Sequence, residues 1–559
     1  MTKLVRITPL LLAGALALAG CGGERGGAKA GAGADLDASI PEQERYGGTA
    51  VVSNLADIPD INPLTSTDYT ANQIQQYVLF MPLLTYDEKF EPVPRLARSW
   101  EVNPDTTQLT FHLRDDVFWH DGVKTSAYDL KFSYDRAREP ATGFPNTAFW
   151  TYYGDMTVVD SFTVRVAMRP HAEYLDPWRS FTPAPEHILR DVPAAELRTH
   201  PFSTTQVVGN GPFKFVSREA GQNWVFAANE DFPKELGGRP YLDRIVYRII
   251  PEPTTALTEL LTGRTDYYQQ PPAEQAARIE SAPNARLLHT PDRYFVIIGW
   301  NERRKPFDDV RVRRAFTMAI DRQAIIDGVL YGYGQIANAT VPPFFWQYDP
   351  DAGADLKYDP EAAKALLAEA GWIDRNGDGI VENEQGKPLR FTIKTNKGNQ
   401  VRADIAEVVQ ADLRKIGVDA APQIVEWGAL LDQLQTPSRR DFDAVIIGWV
   451  TEFRIDDSDL FSCKKLNDPF QWVGYCDPAT ERLLDTLPKI VSREAAKPLW
   501  AEYQRKVAHD QPYTFLYFVE RLAGVSDRLR NVNPDARGDW LGAERWWILP
   551  NQRGGANGR

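Results

Sequence analysis

Cysteine is scarce in this chain, three among 559 residues, and the seven histidines are scattered. Cys463 and Cys476 alone offer too few ligands for a metal centre, so no metal is expected. Positive charge is in deficit: 63 Lys and Arg against 76 Asp and Glu leave −13. Nonspecific nucleic-acid binding needs a basic footprint, so no nucleic-acid partner is expected. Past residue 20 no apolar run is long enough to cross a bilayer. The patterns H-E-x-x-H, G-x-S-x-G and G-x-x-x-x-G-K-[ST] are missing, which removes the usual enzyme signatures. The letters G-Y-G-Q-I-A from Gly332 to Ala337 spell a dinucleotide fingerprint, but they follow a helix rather than a strand. No cofactor is expected.

Aromatics, by contrast, reach 11%, with 15 Trp. Bulky cores and a ring-lined ligand cleft would both use them. The length exceeds one core, so two or three domains are expected. Residues 1–20 carry Lys3 and Arg6, then an apolar run from Ile7 to Leu18 broken by Thr8, Pro9 and Gly14. That is the layout of a secretory signal. Leu18-Ala19-Gly20-Cys21 resembles the bacterial lipobox, which implies that Cys21 is lipidated. Each buried methylene of an acyl chain holds a protein to a bilayer by about 0.8 kcal/mol. Residues 21–45 are rich in Gly and Ala and read as a flexible tether. The expected location is the cell envelope: exported and lipid-anchored, in the periplasm or on the outer face of the cytoplasmic membrane.

Periodicity marks the elements beyond. Residues 49–53 form a first strand, and a helix is expected over 74–84. In residues 108–114, Leu109, Phe111 and Leu113 alternate and face one way. The β-branched run 294–300 reads as a buried strand ending at Asn301. Val312, Ala315, Phe316, Ala319 and Ile320 then make one apolar helical face, with Arg311, Arg313 and Arg314 expected to stay wet on the other side. Asp321 is placed to cap the next helix, and Gly332, Gly334, Pro342 and Pro343 stop regular structure. A helix from Tyr358 turns Ala362, Ala365, Leu366 and Ala370 inward, with Gly371 as its cap. Residues 374–385 open like a calcium loop, but Gln385 stands where a bidentate carboxylate belongs, and Asp and Asn with Gly also simply make turns. Strands at 391–394, 424–427 and 442–449 alternate with helices at 401–416 and 429–434. That rhythm argues a parallel α/β sheet with its ligand crevice beyond the strands' C-terminal ends.

Several stretches carry a resemblance. They are P-V-P-R-L-A-R-S-W-E from Pro92, F-W-H-D-G from Phe118, G-N-G-P-F from Gly209 and P-F-D-D-V-R-V-R-R-A from Pro306. Y-D-P-E-A-A-K-A-L-L-A-E-A-G-W from Tyr358 is another. The chain resembles the family 5 extracellular solute-binding proteins, which deliver cargo to ABC importers. The resemblance spans residues 48–520. It implies a two-lobed periplasmic-binding-protein fold of type II with a sub-domain inserted in the first lobe. Lobe 1 is expected over 46–85, 207–300 and 520–550, the insertion over 86–206, lobe 2 over 301–519 and a disordered tail over 551–559. The partners implied are ABC permease and ATPase subunits, the membrane through the anchor, and a peptide or other small polar solute; a monomer is expected.

The loop from Trp449 to Cys476 is the strongest ligand candidate, with Glu452, Asp456 and Asp457 as its carboxylates. In peptide-binding relatives an Asp three residues after this Trp pairs with the peptide's amino terminus; Glu452 stands at that offset, and a carboxylate can receive an ammonium. Dipeptide binders carry an Arg at the end of the strand near Phe391, where this chain has Thr395, Asn396, Lys397 and Gly398, so that clamp is either absent or replaced by Lys394 or Lys397. Trp427 and Asn396 are expected to face the cleft. In an exported chain Cys463 and Cys476 are expected to bridge, closing the ligand loop. Three readings stay open: a binding protein for a peptide, a binder of another solute such as an oligosaccharide, nickel chelate or opine, and an exported hydrolase using the acidic residues 452–459. A sensing lipoprotein without a transport partner is a further possibility.

Overall fold

The computed structural model describes residues 39–553. The signal segment, Cys21, most of the tether and the last six residues therefore lie outside the described residues. Strand β1 (Thr49–Asn54) is buried at Ala50, Val51, Val52 and Ser53 because it runs between parallel neighbours in the middle of a sheet. The helix expected at 74–84 starts earlier. Asp68 accepts from the Ala71 amide and caps Tyr69–Ile74, which widens into a π-turn at Gln75–Leu79.

The insertion builds its own antiparallel sheet from β2 (Ala97–Val102), β3 (Gln108–Leu113), β4 (Tyr153–Asp160) and β5 (Thr163–Met168), in the order β2-β3-β5-β4. Leu109, Phe111 and Leu113 face its core, where α1 (Ala127–Arg138) brings Tyr134 against Trp150 and Trp178. Its last part, with Leu189, Leu197 and Phe202, packs instead into the first lobe's core.

Gly209 and Gly211 open the stretch G-N-G-P-F that leads into the next strand. Neither has positive φ. They are glycines because the backbone of Leu79 lies against them: a Cβ on Gly209 would stand 1.9 Å from the Leu79 carbonyl oxygen. His120 locks this junction. The Gly209 amide donates to His120 Nδ1 at 3.2 Å, and His120 Nε2 donates to the Gly211 carbonyl at 3.1 Å. That arrangement requires a neutral ring, and burial pushes its pKa down to about 4. The unfolded chain protonates near 6.5 while the folded one stays neutral, so this stability is complete above 6.5 and drains as pH falls toward 4. His120→Phe should remove that dependence. The stability gap between the natural chain and the variant, read by urea unfolding, should shrink by about 3 kcal/mol from pH 7 to pH 4. A gap that ignores pH would refute the assignment.

The first lobe continues with β6 (Phe213–Glu219), β7 (Asn223–Ala228), β8 (Arg244–Ile249) and β9 (Tyr267–Gln269). Strand β10 (Ala285–Trp300) then runs sixteen residues and serves both lobes. The second lobe adds β11 (Gly334–Ile336), β12 (Arg390–Asn396), β13 (Asp419–Val425) and β14 (Ala444–Val450), and β15 (Tyr513–Ser526) returns. One eleven-stranded sheet results, in the order β13-β12-β14-β10-β15-β9-β1-β8-β7-β6, with β11 on β15. Strands β12, β13 and β14 are mutually parallel; β10 and β15 are antiparallel to their neighbours.

Strand β10 changes its pairing partway along. Residues 294–300 pair with β14 of the second lobe, and the ladder to β15 breaks register between Pro291 and Phe295. Proline lacks the amide a ladder needs, which suits a break there.

Three further readings are corrected. Arg313 is buried, not wet. Its guanidinium donates to the carbonyls of Phe307, Asp510 and Gln511 and sits 3.2 Å from Glu302, tying the helix Val310–Ala319 to the end of Arg493–Asp510. Residues 334–336 make a short strand despite their glycine. The helix Pro360–Glu369 buries Ala363 and Leu367, one position on from the expected face. At the C-terminus, Pro550–Gln552 form a 3-10 turn.

Candidate functional site

Strand β14 ends at Val450 beside Tyr294, next to the break in β10, and the loop that follows reaches Tyr86 and Phe90 through Phe453. Trp449 is half-buried, its ring edge-on to Phe470 at 5.4 Å and Trp472 at 5.6 Å. Cys463 and Cys476 are bonded, with Cα atoms 4.7 Å apart, and close the loop that carries those rings. Glu452 is exposed and reaches only Arg293, at 3.5 Å. Asp456 is exposed and accepts from the Ser458 amide.

Asp457 leaves the candidate set. It accepts from Thr340 Oγ1 at 2.5 Å and Tyr503 Oη at 2.7 Å beneath the loop, and burial pushes its pKa up to about 6. Asp459 pairs with Lys465. The acidic residues therefore do not converge on one point, as paired carboxylates in a hydrolase would need to. No group of His, Cys, Asp and Glu among the described residues has the arrangement of a metal site. The calcium-like stretch spends its oxygens on itself: Asp374 accepts from the amides of Gly377 and Gly379, and Asn376 from that of Asp378.

At the end of β12, Asn396 Oδ1 accepts from Arg402 Nη1 at 2.7 Å, and Arg402 Nη2 donates to Tyr294 Oη at 2.5 Å. Arg402 is 8% exposed and its Nε has no hydrogen-bond partner. Tyr294 lies over Gly448, where a Cβ would stand 1.9 Å from its hydroxyl. Arg402 thus supplies from a helix the cation expected from the strand. Lys394 is spent on Gln433 and the Asp441 carbonyl, and Lys397 is exposed. Trp427 belongs to the first turn of the helix Trp427–Gln435, not to a strand, and is 42% exposed.

Phe453, an aromatic of the candidate loop, meets residues from other elements in the middle of the seam. Phe453, next to Glu452, is buried among Tyr86, Phe90 and Phe345. Arg179, from the short insertion helix Asp176–Ser180, lies 4.2 Å from its ring centroid, and Arg293, at the break in β10, lies 4.4 Å away. Arg293 Nη1 donates to the Thr451 carbonyl at 2.7 Å. Arg493 joins the seam from lobe 2 to the insertion through Glu173, at 2.8 and 2.9 Å, and Glu91, at 2.6 Å. Beside it a cavity of about 20 Å³, room for a water or so, is lined by Trp346, Gln347, Arg454 and Trp500. At the lobe crossing, Arg521 stands 3.2 Å from both Asp292 and Asp539. The only sequence signal for this group was T-P-D-R-Y at residues 290–294, a proline and two charges inside a run otherwise fit for a strand.

Residues 91–467 match the family model described as bacterial extracellular solute-binding proteins, family 5. The oligopeptide-binding protein AppA of Bacillus subtilis is 32% identical over 98% of this chain and 99% of its own. Its solved structure, in complex with a nonapeptide, gives a TM-score of 0.72 over 90% of this chain and 99% of that one. Heme-binding protein A of Haemophilus influenzae is 30% identical over 69% of this chain and 71% of its own.

Proposed function

Because this chain belongs to the family 5 bacterial extracellular solute-binding proteins, we propose that it captures a peptide between its two lobes. It holds the peptide unchanged and passes it to the permease and ATPase subunits of an ABC importer. The observation that carries the cargo class is the end-to-end match to an oligopeptide-binding protein. The seam supports it too: half-buried Trp449, exposed Glu452 and the cations Arg402 and Arg293 offer stacking, an ammonium acceptor and carboxylate donors. Only β10 and β15 carry the sheet across, so hinge motion about the break at Pro291 can open and close the seam. Anchoring at Cys21, export to the outer face of a membrane, a monomeric state and a lack of catalysis belong to the same reading.

Native mass spectrometry of the purified chain should release an intact peptide. Titration with a peptide library should give micromolar or tighter binding. Gly448→Ala pushes the Tyr294 ring off Arg402 while leaving the surrounding core in place, because the displaced atoms are the far end of a side chain. It should weaken peptide binding about tenfold, roughly the 1.4 kcal/mol of one lost charge-assisted hydrogen bond, with little change in thermal midpoint. Release of heme, a sugar or a metal chelate instead of a peptide, or of a cleaved product, would overturn the proposal.

A further inference from the structure

Two guanidinium groups lie over the Phe453 ring, Arg179 from the insertion and Arg293 from the lobe crossing. Both are mostly buried, with 13% and 18% of the side chain exposed. Each has only a long ion pair. Arg179 is 3.6 Å from Asp176, a group already taken by the Tyr86 hydroxyl, and its Nε has no hydrogen-bond partner. Arg293 is 3.5 Å from the exposed Glu452, and its neighbour Asp292 turns to Arg521. Two like charges drawn into one dry place are costly unless something negative joins them. Burial and the nearness of Arg179 both lower the pKa of Arg293. A phenyl face mitigates that cost, but more weakly than an oxyanion that accepts their N–H groups.

Taking the peptide reading as its basis, we infer that Arg179 and Arg293 form an anion subsite, which takes a carboxylate of the cargo once the Phe453 ring swings out. The ring stands where the carboxylate would sit. The carboxylate is an acidic side chain or the C-terminus of the peptide, and fork-shaped guanidinium groups suit its two oxygens. The geometry is well fitted to coupling capture with closure, because the insertion and the lobe crossing each contribute one guanidinium group.

The test uses the purified full chain and three hexapeptides that differ only in one Glu, the same residue as Gln, or a C-terminal amide. Isothermal titration should show at least one carboxylate worth about tenfold in affinity. Arg179→Gln should erase that preference while keeping affinity for the uncharged peptide, and Arg293→Gln should erase it as well; Phe453→Ala should keep the preference. Equal affinity for all three peptides overturns the subsite and leaves the peptide reading standing. If no peptide binds, glutarate serves as the probe. Protection of the natural chain but not of the arginine variants sustains the anion subsite and overturns the peptide reading; no protection overturns both. Should the variants misfold, a structure of the natural chain with the Glu peptide decides, and a carboxylate anywhere but between the two guanidinium groups is a negative result.

Discussion

An Asp266→Ala chain is expected to lose about 3–5 kcal/mol of stability, the usual effect of stranding one half of a buried ion pair. Asp266 has no exposed surface. Its Oδ2 accepts from the Val51 amide and from Arg528 Nη2, both at 2.8 Å, and its Oδ1 accepts from Arg528 Nε. Three distant parts of the first lobe meet there: β1, the end of β15 and, through Arg528 Nη1, the Gln552 carbonyl. Removing the carboxylate leaves a guanidinium inside with nothing to balance it. The double change Asp266→Ala with Arg528→Met should cost less than the single one, because both charges leave together. Urea unfolding of the three chains reads this directly. A single variant within 1 kcal/mol of the natural chain would mean that water reaches Arg528.

Gly209→Ala should be at least as damaging, about 4 kcal/mol or more, with insoluble expression as the practical sign. The added methyl carbon would stand 1.9 Å from the Leu79 carbonyl oxygen and 2.8 Å from its carbon, and backbone cannot swing aside as a side chain can. The change also displaces the Gly209 amide from His120, so two contacts at the joint between insertion and first lobe fail at once. Normal yield with an unchanged thermal midpoint would require the loop at Leu79 to have an alternative path.

Most of the fold could be read in advance because its elements obey local rules. Alternation located β3, the β-branched run located the second half of β10, and Asp321 capped the helix that its position foretold. What could not be read was set by partners far along the chain. Arg313 looks like a surface arginine on a helical wheel, and only the carbonyls of Asp510 and Gln511, nearly two hundred residues later, make it a core residue. Asp457 sits in a loop of exposed acids and is distinguished from Asp456 only by Thr340 and Tyr503 beneath it. In the candidate site, Trp449 and Glu452 carried a motif and were visible. Arg179, Arg293 and Arg402 carried none, because each reaches the seam from a separate element and only folding brings them together. Gly209 shows a subtler limit: its letter was noticed, but a glycine demanded by a neighbouring carbonyl looks the same as one demanded by a turn.

The sharing of β10 and β15 by both halves bears on the order in which this chain can be completed. Strand β9 pairs with β1 on one side but gains its second partner only when residues 523–525 arrive, and the first core is sealed only by Trp540, Trp546 and Ile548. The second lobe, contiguous in sequence, can finish earlier. A polypeptide synthesised from its amino terminus therefore carries a half-built first lobe, with greasy strand faces bare, until its final stretch has been made. Truncation near the carboxyl end should for that reason be felt at the very beginning of the protein.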